Sequence, residues 1–369
     1  MLREIYVRPI GLYPAAQADR AETVLGGLRL ASGWLDFMGV EVIERNGALV
    51  ERRLTGLSDF LERDWGRRTL NAADMFEALR APRPRLAGLD LGRPRLMGIV
   101  NVTPDSFSDG GQHATAQSAI DHAFRLEEEG ADIVDIGAES TRPGAAPISV
   151  AEELGRALPV IEGLAGKTNA LISIDTRNAE TMRAAASAGA DIINDVSALS
   201  HDRDALEAVA ETGLPVVLMH AQGDPRTMQD NPTYDDVLLD VFDYLEARIE
   251  ACERVGIARS KVIVDPGIGF GKTLEHNLEL MAGLSLLHGL GVPVLLGASR
   301  KRFIGTLSGV GVAGERVMGS AGAALAAAAQ GAQIIRVHDV AATRQALSVW
   351  LASSEGKRPG DNDPGAHKP

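Results

Sequence analysis

From about residue 95 onward the chain repeats one unit. A short apolar run rich in Val and Ile is followed by a polar or glycine-rich stretch and then by a helical pattern. Eight such runs can be read: Leu96–Val102, Ile133–Ile136, Ala170–Asp175, Ile192–Asp195, Val216–Met219, Val262–Asp265, Val294–Leu296 and Ile334–Val337. Helical patterns lie between them, for example Thr115–Glu129, Val150–Leu164 and Tyr234–Val255. Apolar runs without polar alternation, separated by helices, suit parallel strands covered on both faces. Three runs are introduced by similar turns, Gly130-Ala131-Asp132, Gly189-Ala190-Asp191 and Gly331-Ala332-Gln333. A glycine that closes a helix just before a strand is the expected connection. Eight units in about 260 residues predict an α/β fold, a (β/α)₈ TIM barrel. An open doubly wound sheet is the alternative.

The residues before the barrel have a different composition. Residues 1–93 hold 14 Arg, no Lys and 13 acidic residues, whereas the whole chain has a net charge of −13, so the acidity belongs to the rest. This shift places a boundary near Arg80 to Arg95, with Ala81-Pro82-Arg83-Pro84-Arg85 as a linker. Residues 1–93 read as a small mixed α/β module, residues 94–353 as the barrel and residues 354–369 as a disordered polar tail. In the module, Phe37–Arg45 and Ala48–Arg52 read as strands joined by an Asn46-Gly47 hairpin turn. Ser58–Arg67 and Asn71–Arg80 read as helices, the second capped by Asn71. No chemical constellation appears in the module. Its apolar residues Leu35, Phe37, Val40, Val42 and Trp65 need burial, on each other, on the barrel or on a second subunit. The expectation is a folding or docking appendage, dispensable for chemistry.

The excess of negative charge argues against nucleic acid or an anionic membrane as the main partner. The single cysteine, Cys252, excludes an internal disulfide framework and a Cys-rich zinc site. No run is long and apolar enough for a membrane span, and the start Met1-Leu2-Arg3-Glu4-Ile5 has no secretory pattern, so a cytoplasmic protein is expected.

In such a barrel function collects where the strands end. After the eight runs come Asn101, Glu139, Asp175-Thr176-Arg177, Asn194-Asp195, Met219-His220, Asp265-Pro266-Gly267, Gly297-Ala298-Ser299-Arg300-Lys301 and Arg336-Val337-His338-Asp339. Asp175, Asn194 and Asp265 would converge on the axis, where carboxylates and an amide suit a planar ring rich in N–H donors. Arg142, Lys301, Arg336 and His338 would lie near the rim and suit a phosphate or carboxylate. Singly, each residue has a plainer reading as a helix cap, turn former or loop charge. Their arrival at eight strand ends in register carries the argument. Together they predict a small, flat, nitrogen-rich heterocycle that bears an anionic group.

Gly267-Ile268-Gly269-Phe270-Gly271-Lys272-Thr273 resembles a phosphate-binding loop, but Pro266 stands where that motif needs its first glycine. Lys272 also stands where the dinucleotide pattern needs its third. Nucleotide hydrolysis and dinucleotide binding are therefore rejected. The glycines read as a tight loop that lets the backbone approach a ligand.

Met97–Gly111, with Asn101-Val102-Thr103-Pro104-Asp105-Ser106-Phe107 at its centre, resembles the opening signature of the dihydropteroate synthases. Asp135-Ile136-Gly137-Ala138-Glu139-Ser140-Thr141-Arg142-Pro143-Gly144 resembles their second signature. Asp265–Lys272, Ser299-Arg300-Lys301 and Arg336-Val337-His338 complete the set, over about Arg95 to Ala352. The resemblance implies a transferase of folate biosynthesis that joins 4-aminobenzoate to 6-hydroxymethyl-7,8-dihydropterin diphosphate. The products would be 7,8-dihydropteroate and diphosphate. It implies Mg²⁺ as cofactor, with Asn101 beside the metal, and a homodimer that is a sulfonamide target. It places Asp175, Asn194, Asp265 and Lys301 on the pterin, with Met219 and Phe270 on its faces and Gly297 in the same pocket. Arg142, Arg336 and His338 would serve the diphosphate; Phe107, Thr141, Pro143 and Ser299 would surround 4-aminobenzoate. The family mechanism is dissociative: diphosphate leaves first and a pterin-stabilised cation forms. Two rivals are a pterin-dependent methyltransferase on the same barrel and a non-catalytic scaffold. The first has no need of Arg336, His338 or the Ser299–Lys301 pair, and the second would be expected to have lost them.

Overall fold

The computed structural model describes residues 4–15, 26–63, 65, 70–102, 112–139, 148–223 and 227–356. The expectations for Phe107, Thr141, Arg142 and Pro143 fall outside these residues, as does most of the tail.

The first module has strands β1 (Glu4–Ile10), β2 (Tyr13–Pro14), β3 (Leu28–Arg29), β4 (Leu35–Phe37), β5 (Gly39–Asn46) and β6 (Leu49–Gly56), then helices α1 (Leu57–Glu62) and α2 (Leu70–Arg80). They make two small sheets, ordered β1-β5-β6 and β2-β4-β3. The expected strand Phe37–Arg45 is broken at Met38, between β4 and β5. The hairpin forms, but Asn46 pairs with Leu49, so its two loop residues are Gly47 and Ala48. Gly47 takes the left-handed φ of 62° that this turn requires. Helix α2 begins at Leu70, so Asn71 lies inside it and is not its cap. Leu35, Phe37, Val40 and Val42 are buried as expected. They share a core with Phe60 and Phe76, whose rings stack at 4.8 Å, and Trp65 packs on Phe60 at 4.7 Å.

The barrel follows as β7 (Arg95–Asn101), α3 (Gln112–Glu128), β8 (Ile133–Gly137), α4 (Val150–Leu164), β9 (Leu171–Asp175), α5 (Ala179–Ala188), β10 (Ile192–Asp195), α6 (Ala205–Thr212), β11 (Val216–Met219), α7 (Val237–Arg254), β12 (Val262–Asp265), α8 (Leu274–Gly283), β13 (Leu295–Gly297), α9 (Arg302–Ser308), α10 (Val317–Ala328), β14 (Ile334–Val337) and α11 (Val340–Glu355). The eight strands are parallel neighbours in the order β12-β11-β10-β9-β8-β7-β14-β13, and a parallel bridge between Val264 and Val294 closes the ring. A closed barrel replaces the open-sheet alternative. Helix α11 runs to Glu355, two residues into the stretch that the sequence assigns to the tail.

Strand period fixes what faces the axis. Met97, Ile133, Ile192, Val217, Ile263, Leu295 and Ile334 form one apolar cluster inside the barrel. The residues two and four positions further along each strand share their face. They are Asn101, Asp135, Asp175 (four beyond Leu171, which packs on that cluster), Asn194, Met219, Asp265, Gly297 and Arg336. The intervening residues, among them Leu96, Val134, Ile136, Ile172, Ile174, Val216, Val264, Leu296 and Ile335, pack outward under the helices.

The stretch expected to be a linker is instead built into the fold. Leu86 and Leu91 join the interior cluster and so plug the barrel below Met97 and Ile334. Arg83 donates to the carbonyls of Ala78, Ala81, His288 and Val292 at 2.9–3.1 Å. Burial without a carboxylate lowers its pKa to about 10. The module docks on the outer face of the barrel through Arg52 to Asp236 (2.6 Å), Arg45 to Asp240 (2.9 Å) and Tyr6 to Asp243 (2.9 Å). Trp34 Nε1 donates to Ala328 O at 3.1 Å, at the end of the alanine-rich helix α10.

His288 sits beneath this contact, fully buried, 2.9 Å from Gln330 O. A carbonyl only accepts, so Nε2 carries the proton and the ring is neutral. Burial, with Arg83 beside it, lowers its pKa from 6.5 to about 3. Between these values the unfolded chain binds a proton that the native chain does not. This contribution to stability is therefore complete above pH 6.5 and is lost as pH falls, by about 1.4 kcal/mol per pH unit. His288→Gln can keep a donor to Gln330 without titrating. Urea unfolding at pH 7, 6 and 5 should give a stability curve that falls less steeply with acid in the variant by about that amount. Equal slopes would place the acid sensitivity elsewhere.

Candidate active site

The residues that strand period turns inward meet as one polar cluster at the C-terminal ends of the strands. Arg336, from β14, donates through Nε to Asp135 Oδ2 at 2.6 Å and through Nη2 to Asp175 Oδ2 at 2.8 Å. Asn194 Nδ2 donates to the same Asp135 oxygen at 3.1 Å. Asp135 is fully buried. A carboxylate there accepts only, so it fixes the Asn194 amide with its nitrogen toward β8 and its oxygen free for a ligand. A Cβ on Gly137 would stand 3.9 Å from both Asn101 Oδ1 and Asp175 Oδ2, so those two groups flank that strand end. A Cβ on Gly297 would stand 3.6 Å from Asp265 Oδ2 and 3.8 Å from Arg336 Cβ. The bare glycine keeps that wall of the pocket open.

Asp265 is buried, and its Oδ1 accepts from Gly267 N at 2.7 Å. Burial raises its pKa, and Lys301 and the Gly267 amide pull it back. Burial also raises Asp175, against the pull of Arg336. Lys301 donates to Ile268 O and lies 4.7 Å above the Phe270 ring. Burial lowers its pKa to about 8, while Asp265 holds it up. Met219, next to Asp265 in register, adds an apolar wall. The cluster thus offers acceptors on one side, a cation with a ring beneath it on the other, and apolar surface between.

The structure brings together Asn101, Asp175, Asn194, Met219, Asp265, Phe270, Gly297, Lys301 and Arg336. It moves Arg336 from the expected rim into the acids, where two of its three nitrogens are spent. His338 stands apart: its backbone N–H and Nδ1 lie 3.2 and 3.1 Å from Ser299 Oγ. With Asp339, His122 and Arg125 it lines a cavity of about 330 Å³ between α3 and α11. The sequence reading gave Asp135, His220 and Lys272 no role. Asp135 could have been found from its strand: it lies two residues beyond Ile133, on the inward face. Nothing in the local sequence marks the contact of Lys272 Nζ with His220 Nδ1, at 2.9 Å.

The comparisons with known proteins agree with this geometry. A family model described as "Pterin binding enzyme" matches residues 97–338. The dihydropteroate synthase of Escherichia coli (strain K12) is 52% identical over 273 residues, which is 73% of this chain and 96% of that one. The solved structure of Xanthomonas albilineans dihydropteroate synthase with 4-aminobenzoic acid shares 55% identity at a TM-score of 0.69, over 73% of this chain and 98% of that one. The same enzyme in complex with 7,8-dihydropteroate matches at 52% and 0.67, with the same coverage. Residues 1–93 lie outside the family match. By sequence, fold and the polar ends of its barrel strands, the chain belongs to the dihydropteroate synthases of the pterin-binding enzyme family.

Proposed function

We propose that the chain joins the nitrogen of 4-aminobenzoate to the methylene carbon of 6-hydroxymethyl-7,8-dihydropterin diphosphate. The C–O bond to diphosphate breaks, the C–N bond forms, the aniline nitrogen loses a proton, and 7,8-dihydropteroate and diphosphate leave. The observation that carries this reading is the group of buried Asn194 and Asp265 with half-buried Asp175 and Lys301 around the barrel axis. A dihydropterin presents a guanidine-like edge of N–H donors beside a ring carbonyl. Asp265 and the free oxygen of Asn194 suit the donors, Asp175 the opposite edge, and Lys301 the carbonyl. Met219 and Phe270 suit the two faces of the ring.

As diphosphate departs, negative charge grows on it and positive charge on the pterin. Fixed cations stabilise the leaving anion, the more strongly where water is excluded, and exclusion of water also protects the pterin cation from hydrolysis. The third nitrogen of Arg336, together with Arg142 and His338, is assigned to the anion. The cation is electrophilic enough that the aniline needs no strong base. Phe107, Thr141, Pro143 and Ser299 are assigned to 4-aminobenzoate.

Magnesium fits in one form only. Among the described residues no cluster of three His, Cys, Asp or Glu could hold a metal. Asn101 offers one neutral oxygen at the end of β7, beside Asp175. That suits an ion which arrives on the diphosphate and keeps most of its water. When bound, it would add positive charge against the leaving group. We extend the reading to a cytoplasmic homodimer. Leu307, Met318 and Val349, on α9, α10 and α11, and Val312, between α9 and α10, support a subunit contact, being exposed apolar residues.

The direct test is diphosphate release by the purified full chain with both substrates and Mg²⁺. Release should require both substrates; none under these conditions would end the reading. Asp175→Ala or Asp265→Ala leaves a ring N–H without an acceptor in a buried site. Each should weaken pterin binding by about 1–3 kcal/mol in calorimetry, and pterin affinity unmoved by both would remove them from the site. Arg336→Ala takes the counter-cation from Asp135 and Asp175, leaving Asp135 only the Asn194 amide. It should therefore weaken substrate and 7,8-dihydropteroate together, in addition to any loss at the diphosphate. Product affinity equal to that of the unaltered enzyme would show that Arg336 acts on the anion alone.

A further inference from the structure

The phosphate-loop look-alike, Gly267 to Thr273, leaves one residue unexplained by the reaction. Lys272 is only 3% exposed. Its ammonium lies 2.9 Å from His220 Nδ1, 3.0 Å from Phe270 O and 3.4 Å from His220 O. A lysine ammonium has three donors and no acceptor, so three protein acceptors take them all. The histidine ring is then neutral, with Nδ1 accepting; burial first and Lys272 second lower its pKa to about 3. Burial, and then the nearby Lys301, also lower Lys272 itself, to about 7. A lysine that receives a phosphate keeps its donors free at the loop mouth. This one has its donors taken by neutral protein acceptors.

The loop is pressed onto the end of β11 at two glycines. A Cβ on Gly267 would stand 1.8 Å from His220 O, and one on Gly271 would stand 2.4 Å from Gln222 O. Both glycines have left-handed φ, 68° and 62°. No side chain fits at either position, so the backbone of residues 267–271 lies directly on that of residues 220–222. At Gly267 and Gly271 a close approach is made to the protein's own backbone. Tyr234 OH, 2.7 Å from Gly271 O, holds the same loop from outside.

We infer that Lys272 is a positioning residue of the pterin pocket. Its ammonium bridges the carbonyls of His220 and Phe270 and so fixes the spacing of the two side chains that flank the ring. Met219 precedes His220 directly on β11, and Phe270 carries the other bridged carbonyl. Without the bridge, three acceptors lose their donor; the loop keeps Asp265 at Gly267, Lys301 at Ile268, Asn277 and Gln229 at Gly269 and Tyr234 at Gly271, but no side chain then holds the Phe270 carbonyl. The inference rests on the pterin reading of this site.

The test uses Lys272→Met in the full chain, which keeps the apolar stem and removes the donors. The expected result is a Kd for the pterin diphosphate raised by about tenfold or more, equivalent to about 1.4 kcal/mol. KM for that substrate should rise with it, while kcat at saturation moves by no more than about threefold. A variant that is folded and binds the pterin diphosphate as tightly as the unaltered chain overturns the inference. So does one whose thermal midpoint falls while that affinity is unchanged, because the role is then structural only. If Lys272→Met does not fold, Gly271→Ala carries the test. Its Cβ would pry the loop from Gln222, and the same selective loss of pterin affinity is expected; unchanged affinity there overturns the inference equally. The unaltered chain is measured beside both, and its failure to bind pterin would sink the functional reading itself.

Discussion

A strand in a closed barrel turns every second side chain toward the axis, and the rest of this site depends on that constraint. Met97, Ile133, Ile192, Val217, Ile263, Leu295 and Ile334 make the apolar floor. Their neighbours further along the same faces make the polar cluster above it. Floor and site cannot be shifted independently, because one residue of slip would send Asp135, Asn194, Asp265 and Arg336 into the helical layer together. A buried carboxylate is tolerated only with a partner. Arg336 serves two of them at once, at 2.6 and 2.8 Å. It is therefore both the counter-charge of the pocket before ligand arrives and a candidate contact for the leaving anion.

The amino-terminal module uses the same kind of compensation on the outside. Asp236, Asp240 and Asp243 fall on one stripe at the start of α7, where the helix dipole favours acids. Arg52, Arg45 and Tyr6 of the module meet them. Arg83 and His288 complete the joint from below, through carbonyls and not carboxylates. Leu35, Phe37, Val40 and Val42 of the module are buried in a core continuous with that of the barrel helices, while Leu49, Leu54 and Leu61 stay exposed. Asp236, which Arg52 meets, also caps α7 by accepting from Leu239 N.

The loop after β12 shows how a motif changes meaning with its surroundings. Glycines beside a lysine can cradle phosphate, because free N–H groups then point at the anion. Here the backbone of the preceding strand end occupies that space, and the lysine is spent on carbonyls. The close approach that these glycines permit includes, at Gly267 and Gly271, the protein's own backbone.

The sequence by itself determined the barrel. Eight apolar runs, their spacing and the glycine-closed helices leave little other way to bury both faces of each strand, and six of the eight predicted runs coincide with a strand or miss it by one residue at one end. It also placed Asn101, Asp175, Asn194, Asp265, Lys301 and Arg336 at strand ends, because strand ends follow from the runs themselves. Only the tertiary structure decided which of these groups touch. That Arg336 lies among the acids, that His338 turns to Ser299, and that Asp135 orients Asn194 depend on strands far apart in the chain. The same holds for Arg83 and Lys272. Each satisfies carbonyls distant in sequence or brought close by a folded loop, and a backbone carbonyl has no letter of its own in the sequence.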